Sequence, residues 1–213
     1  MKVGIIADSH DNLPMIRKAL AAFRSQGAEC VIHAGDFIAP FAVKELLQFP
    51  GPVYGVFGNN DGEKEGISKI WPEIAVGPSV FEMDGKRILV AHRKDDANED
   101  EIKKADVFIY AHSHKPEITR RPTADPSDAA LRPETPQGRG KRPPWPGRQG
   151  AKHSRRPIRA ARMVRSTVLI NPGGCGGWLS GRSTVALLDL ETLDAKIIEL
   201  SYLPAGRKGE EHA

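Results

Sequence analysis

The sequence is poor in cysteine: Cys30 and Cys175 are the only two, and they form neither a CxxC pair nor a regular framework. That excludes a disulfide scaffold and a cysteine zinc knuckle, and it leads us to expect reduced thiols. No apolar run approaches the roughly 20 residues of a membrane helix. The apolar run at residues 3–7 is shorter than the roughly seven residues of a secretory signal core. The expectation is a soluble, cytoplasmic chain with no membrane contact. Aromatics make up 6% of the residues, and the segment 120–165 contains one, Trp145. That segment therefore has no stacking platform for single-stranded nucleic acid.

Charge is unevenly spread. Residues 120–165 carry 13 Lys or Arg against Asp125, Asp128 and Glu134, a surplus of ten, so the rest of a chain with net charge +4 carries −6. The same segment holds eight of the 17 prolines and very few large aliphatic residues. It buries too little apolar surface to offset its ordering entropy. The chain of 213 residues is therefore expected to be a single domain at 1–203, interrupted by a basic, Pro/Arg-rich, disordered insertion at 120–165 and followed by a flexible tail at 204–213. Its match to PxxP, Pro143-Pro144-Trp145-Pro146, is a weak pointer to a partner groove.

Apolar runs at 3–7, 30–34, 53–57 and 107–110 predict buried strands. Runs at 79–83 and 87–91 flank Asp84-Gly85 and predict a hairpin. Leu13, Ile16, Leu20 and Phe23 keep helical spacing, with Pro14 in the first turn and Gly27 at the end. Further helices are expected at 40–48 and 98–104. Beyond the insertion, a strand is expected at 166–170, a turn-rich loop at "NPGGCGG", and a hairpin from 183–190 and 195–200. Alternating strands and helices make the class α/β.

Polar residues gather where these strands end. Asp8-Ser9-His10 follows the first and Gly35-Asp36 the second. Gly58-Asn59-Asn60-Asp61 follows the third, His92 the hairpin strand and His112-Ser113-His114 the last. Taken singly, each has an ordinary reading. Asp8 or Asp11 would cap the next helix, and the Gly-Asp and Asn-Asn-Asp-Gly stretches would be turns. Open α/β sheets, however, bind ligands at the carboxyl ends of their strands. Residues i and i+2 at a strand end are expected to share a side, which brings Asp8 to His10 and His112 to His114. Two aspartates, an asparagine and four histidines are too many ligands for one ion and suit two ions with a shared carboxylate. Mixed oxygen and imidazole donors favour Mn, Fe, Co, Ni or Zn over Mg or Ca; manganese is the first candidate.

The series "DSH…GD…GNND…H…HSH" resembles the calcineurin-like metallophosphoesterases. The "ADSHDN" opening and the "INPGG" return are most similar to the small bacterial and archaeal phosphodiesterases related to the retromer subunit. The likeness spans 1–117 and 168–203. It implies a four-layer α/β/β/α sandwich (the metallo-dependent phosphatase fold) and a phosphodiesterase that attacks with a metal-bridging hydroxide at a dinuclear centre. By that resemblance Asp8, His10, Asp36 and His114 hold one ion; Asp36, Asn59, His92 and His112 hold the other. Asn60 and Asp61 become the catalytic positions, with Asp61 orienting a neighbour of the ligands.

The chain also departs from the pattern. Asn60 replaces the His or Cys of relatives and cannot serve as a general acid, which points to a modest rate; the resemblance to the small bacterial branch implies diesters with good leaving groups. Arg93 and Ala111 stand where Gly is common. Arg93 as a substrate-phosphate contact and Arg93 as an obstruction both stay open, as do rim and packing roles for Trp178. His33, inside a strand, is expected to be a satisfied core histidine. A small phosphodiester is the expected substrate, with nucleic acid a further partner through the basic insertion; no motif speaks to oligomeric state. The rival reading is a catalytically poor scaffold on the same fold.

Overall fold

A computed structural model of the chain describes residues 1–123 and 166–201. The expected insertion and tail fall outside these, apart from the first residues of the insertion.

The first sheet is built from β1 (Lys2–Ile6), β2 (Cys30–His33), β3 (Val53–Gly55), β9 (Ser183–Asp189) and β10 (Asp194–Leu200). Its order is β10-β9-β1-β2-β3, with β1, β2 and β3 parallel and β9 antiparallel to β1. The second sheet contains β4 (Ser79–Met83), β5 (Lys86–Val90), β6 (Val107–Ile109), β7 (Glu117–Pro122) and β8 (Ser166–Asn171), in the order β4-β5-β6-β8-β7. Strands β5, β6 and β8 run parallel, and β4 pairs with β5 in the predicted hairpin.

The layering follows from which residues each face buries. Val3, Ile5 and Ile32 from the first sheet pack with Ile88, Val90, Ile109 and Ile170 from the second, so the two sheets lie face to face. On the outer face of the first sheet, Ile6 and Val31 meet Ile16, Phe23 and Val43. Those residues come from α1 (Leu13–Ser25) and α2 (Pro40–Leu46), with α3 (Lys64–Ile70) contributing Ile67. On the outer face of the second sheet, Leu89, Phe108 and Leu169 meet Ile102 of α4 (Glu99–Lys104). The result is the four-layer α/β/β/α sandwich. Covered on both sides, β1 and β2 read as unbroken apolar runs. A Cβ at Gly4 would lie 2.6 Å from the Phe23 ring, so only glycine lets α1 seat there.

Three details differ from the sequence reading. Asn12, not Asp8 or Asp11, caps α1, by accepting from the Met15 N–H; Asp11 accepts from Ala39 N–H at 3.1 Å. α3 was not foreseen because its seven residues bury only Ile67, too little for a visible period. β7 was not foreseen either, and it carries Arg120 and Arg121 as strand residues, not as the start of the insertion. Arg120 pairs with Asp194 at 3.0 Å and Arg121 with Glu99 at 2.6 Å. As an edge strand, β7 needs no continuous apolar run.

Candidate metal centre

The residues after β1, β2 and β3 in one sheet and after β5 and β6 in the other converge where the carboxyl ends of the two sheets meet. Hydrogen bonds tie the sheets together there. The His112 N–H donates to Asp8 Oδ2 at 3.1 Å, and His92 Nδ1 lies 2.9 Å from the Ala34 carbonyl. Within the first sheet, the Asp8 and His10 amides donate to the Gly35 and Asp36 carbonyls, both at 3.0 Å.

The side chains form two groups: Asp8, His10 and His114, and Asp36, His92 and His112. In the first, the imidazoles of His10 and His114 stack 5.2 Å apart at 14°, with Nε2 atoms 3.4 Å apart, and His114 Nε2 is 3.7 Å from Asp8 Oδ1. In the second, His92 Nε2 lies 3.4 Å from Asp36 Oδ2, and the His92 and His112 rings meet edge to face at 5.2 Å. Asp36 Oδ2 is also 3.8 Å from His10 Nε2, so one carboxylate oxygen stands near both groups. His112 and His114, two residues apart, therefore belong to different groups.

The reason for that separation is not strand alternation. β1 ends at Ile6 and β6 at Ile109, before the ligands. Asp8, His10, Asp36, His112 and His114 all have positive φ, between 42° and 68°. Left-handed backbone at five non-glycine residues is costly and persists only where its surroundings enforce it. The intervening residues turn away to anchor the loops: Ser9 Oγ lies 3.0 Å from His33 Nε2, and Ser113 Oγ accepts from Asn171 Nδ2 at 3.0 Å. His33 is buried and satisfied as expected, with Nδ1 accepting from the Gly35 N–H at 3.1 Å. It thus brackets two ligand loops. Asn171 does the same for the His112–His114 loop, a role the sequence reading missed although the "INPGG" motif contained it.

Asp61 is buried and accepts from three backbone amides: Gly58 at 2.6 Å, Ile38 at 2.7 Å and Asp36 at 3.0 Å. It positions the Asp36 backbone and does not face the cavity. Asn60 donates to Asp36 twice, through its backbone to Oδ1 at 2.8 Å and through Nδ2 to Oδ2 at 2.7 Å. Asn59 and Asn60 are both exposed, and it is the Asn60 side chain that hydrogen-bonds Asp36. A Cβ on Gly58 would collide with the Asp36 side chain and amide. Arg93 is exposed and its amide caps a short 3-10 turn by donating to Asp96; it does not line the cavity. A Cβ at Gly174 would lie 2.6 Å from His114 Nδ1, so the Gly-rich loop backs that ring.

Electrostatically the groups are unlike. Burial pushes the Asp8 carboxyl up to about 7, against the opposing pull of His92. Burial would also raise Asp36, but the neighbouring His92 imidazole and the two hydrogen bonds from Asn60 outweigh it and hold that carboxylate well below its usual range. Burial lowers His112 and His114, aided by His92 and His10 respectively, which favours the neutral imidazole that can ligate. Among the described residues, two buried side-chain atoms, Asp8 Oδ1 and His92 Nε2, have no hydrogen-bond partner. Leaving a buried polar atom unsatisfied is expensive, and one such atom in each group fits an ion held at each. A cavity of about 560 Å³ opens over these groups, lined by His10, Asp36, Asn60, His112, His114, Trp178 and Leu179.

A profile of the calcineurin-like phosphoesterase superfamily domain matches residues 1–132. The chain belongs to the calcineurin-like phosphoesterase superfamily. Among curated relatives, the phosphodiesterase MJ0936 of Methanocaldococcus jannaschii is 30% identical over 208 residues, covering 94% of this chain and 99% of that protein. Among solved structures, a novel archaeal phosphodiesterase superposes with a TM-score of 0.65 at 26% identity, over 94% of this chain and 100% of that one. Two more distant likenesses concern the calcineurin-like fold alone. They are the phosphoesterase YfcE of E. coli (TM-score 0.51, 15% identity, 94% and 100% covered) and Vps29 of Chaetomium thermophilum (TM-score 0.52, 14% identity, 93% and 95% covered). Among the described residues no helix is long and apolar enough to cross a membrane.

Proposed function

We propose that this phosphoesterase hydrolyses small phosphodiesters at a dinuclear centre of divalent transition-metal ions, manganese first among Mn, Fe, Ni, Co and Zn. The observation that carries the reading is the pair of carboxylate–imidazole groups with Asp36 Oδ2 between them and an orphaned buried atom in each. Its likeness over nearly the whole length to a named phosphodiesterase supports the diester class. Asp8, His10 and His114 would hold one ion, His92 and His112 the other, with Asp36 shared; Asn59, on the loop after β3, is the remaining ligand candidate for the second. Bound ions would supply Lewis-acid stabilisation of phosphate oxygens and acidify a water at neutral pH.

The chain's own residues do the rest. The left-handed loops and their Ser9–His33 and Ser113–Asn171 anchors fix the imidazoles, so little reorganisation is needed when substrate arrives. His92 is locked in orientation by its Nδ1 contact with the Ala34 carbonyl, which leaves Nε2 aimed at the centre. Asn60 lines the cavity and can donate a hydrogen bond to a phosphate oxygen but cannot protonate a leaving group. Good leaving groups are therefore favoured. Two free, buried cysteines agree with a cytoplasmic setting.

The test is Mn²⁺-dependent hydrolysis of bis(p-nitrophenyl) phosphate, with Asp36→Ala, Asn59→Ala and Asn60→Ala beside the wild type and metal content read on each. Wild type should hold about two ions per chain and turn over, and Asp36→Ala should lose both properties. Metal binding without turnover across all five ions would replace the enzyme reading with the scaffold. A polymeric nucleic-acid substrate, assayed across salt concentrations, belongs in the same series. Steep salt dependence for the polymer alone would assign the basic segment a guiding role.

A further inference from the structure

The mouth of the cavity is unlike its floor. The floor is carboxylate, imidazole and amide; the rim is Trp178 and Leu179, both in the loop between β8 and β9. Trp178 is 61% exposed and Leu179 78%. Two large apolar side chains exposed side by side at the mouth of a polar site offer surface that an apolar occupant would favourably bury. The indole is also held in place. Its Nε1–H donates to the His10 carbonyl at 3.1 Å, so the ring edge is pinned to the backbone of a metal-site residue. Beneath it the loop is tight: a Cβ on Gly176 would lie 2.9 Å from Trp178 Cδ1. A pinned edge and an exposed body make a fixed platform at a set place relative to His10.

We infer that Trp178, with Leu179 beside it, is a specificity-determining platform that receives a planar aromatic ring carried by one ester group of the substrate. This deepens the proposed function and rests on it: the phosphate lies at the floor, and the ring, whether aryl or nucleobase, lies on the rim. Stacking on an indole face tolerates any flat π system, so both sources share one chemistry.

Binding isolates this from turnover. Thymidine 5′-monophosphate, phenyl phosphate and methyl phosphate share a phosphate and differ in the group attached to it. Their affinities for the Mn²⁺-loaded protein would be measured by calorimetry on wild type, Trp178→Ala, Trp178→Phe and Leu179→Ser. Wild type should bind the two ring esters roughly tenfold more tightly than methyl phosphate, the scale of one stacked ring. Trp178→Ala should bring that ratio to within about twofold, whatever its effect on methyl phosphate affinity, and Trp178→Phe, which loses the same hydrogen bond to His10 but keeps a ring, should retain most of the preference. A preference for phenyl phosphate alone would assign the platform to aryl esters, and an equal or greater preference for the nucleotide would assign it to nucleosides. Ring preference absent in wild type, or intact in Trp178→Ala, overturns the inference while the phosphodiesterase reading stands. No phosphate ester binding to fully metallated wild type overturns that reading and this inference with it.

Discussion

Acidification should destabilise this fold through His33, and one substitution isolates the effect. The ring is fully buried, with Nδ1 accepting from the Gly35 N–H, so Nε2 carries the proton and faces the Ser9 hydroxyl. Burial pushes the imidazole down from 6.5 to about 3, although Asp36 pulls the other way. Because the folded value lies below the unfolded one, the unfolded chain takes up the proton first. The stability tied to the neutral ring is complete above about pH 6.5 and is lost as pH falls toward 3. The gap amounts to about 2 kcal/mol at pH 5 and about 3 kcal/mol at pH 4. Protonation also sets an N–H against the Gly35 N–H, which loosens the bracket between the Ser9 and Asp36 loops. His33→Asn keeps an acceptor near the Nδ1 position and does not titrate. The assay is urea unfolding from pH 7 to pH 4, with chelator present so that metal occupancy does not vary. Asp8, raised to about 7 by burial, contributes with the opposite sign, but it is present in both proteins and drops out of the difference. Wild type should lose about 2 kcal/mol more than His33→Asn between pH 7 and pH 5. Parallel pH dependences for the two would refute the reasoning.

Asp61→Ala strands three backbone donors, at Gly58, Ile38 and Asp36. It should cost about 3 kcal/mol or more in urea unfolding and lower metal content, with Asp61→Asn milder; an unchanged unfolding midpoint would contradict the positioning role. Gly4→Ala drives a methyl against the Phe23 ring and should cost about 1–3 kcal/mol. Thermal unfolding would show it, and partial rescue by Phe23→Leu should follow. Both cysteines are buried, and burial pushes the Cys30 thiol up to about 11. A thiol reagent at pH 8 should find neither in the native protein and two after denaturation; rapid native labelling would count against the packing described.

Much of this was legible before any coordinates. Strands covered on both faces advertise themselves as unbroken apolar runs, so β1, β2 and β6 appear at nearly their observed limits. The hairpin around Asp84-Gly85 is marked by its turn. The elements that escaped were those with little to bury: α3, with one buried residue, and β7, an edge strand whose arginines look from composition like the start of the basic segment. The candidate ligands were legible as types at strand ends, because metal chemistry restricts them to a few side chains.

The chain's pattern of apolar runs determined the α/β class and its strand ends supplied the candidate ligands, since buried strands and metal donors each draw on a narrow set of residues; the four layers were implied by the family resemblance. The family resemblance had implied the grouping of the candidate ligands, and the tertiary structure shows what holds it. Which histidine stands beside which aspartate depends on left-handed turns that the ligands adopt against their own preference, held by Ser9 on His33 and by Ser113 on Asn171 across long stretches of sequence. Only the tertiary structure decided that Asn60 and not Asn59 sits on Asp36, and that Trp178 stands at the rim instead of in the core. Side-chain direction beyond a strand end is set by partners distant in the chain, and local pattern carries no record of them.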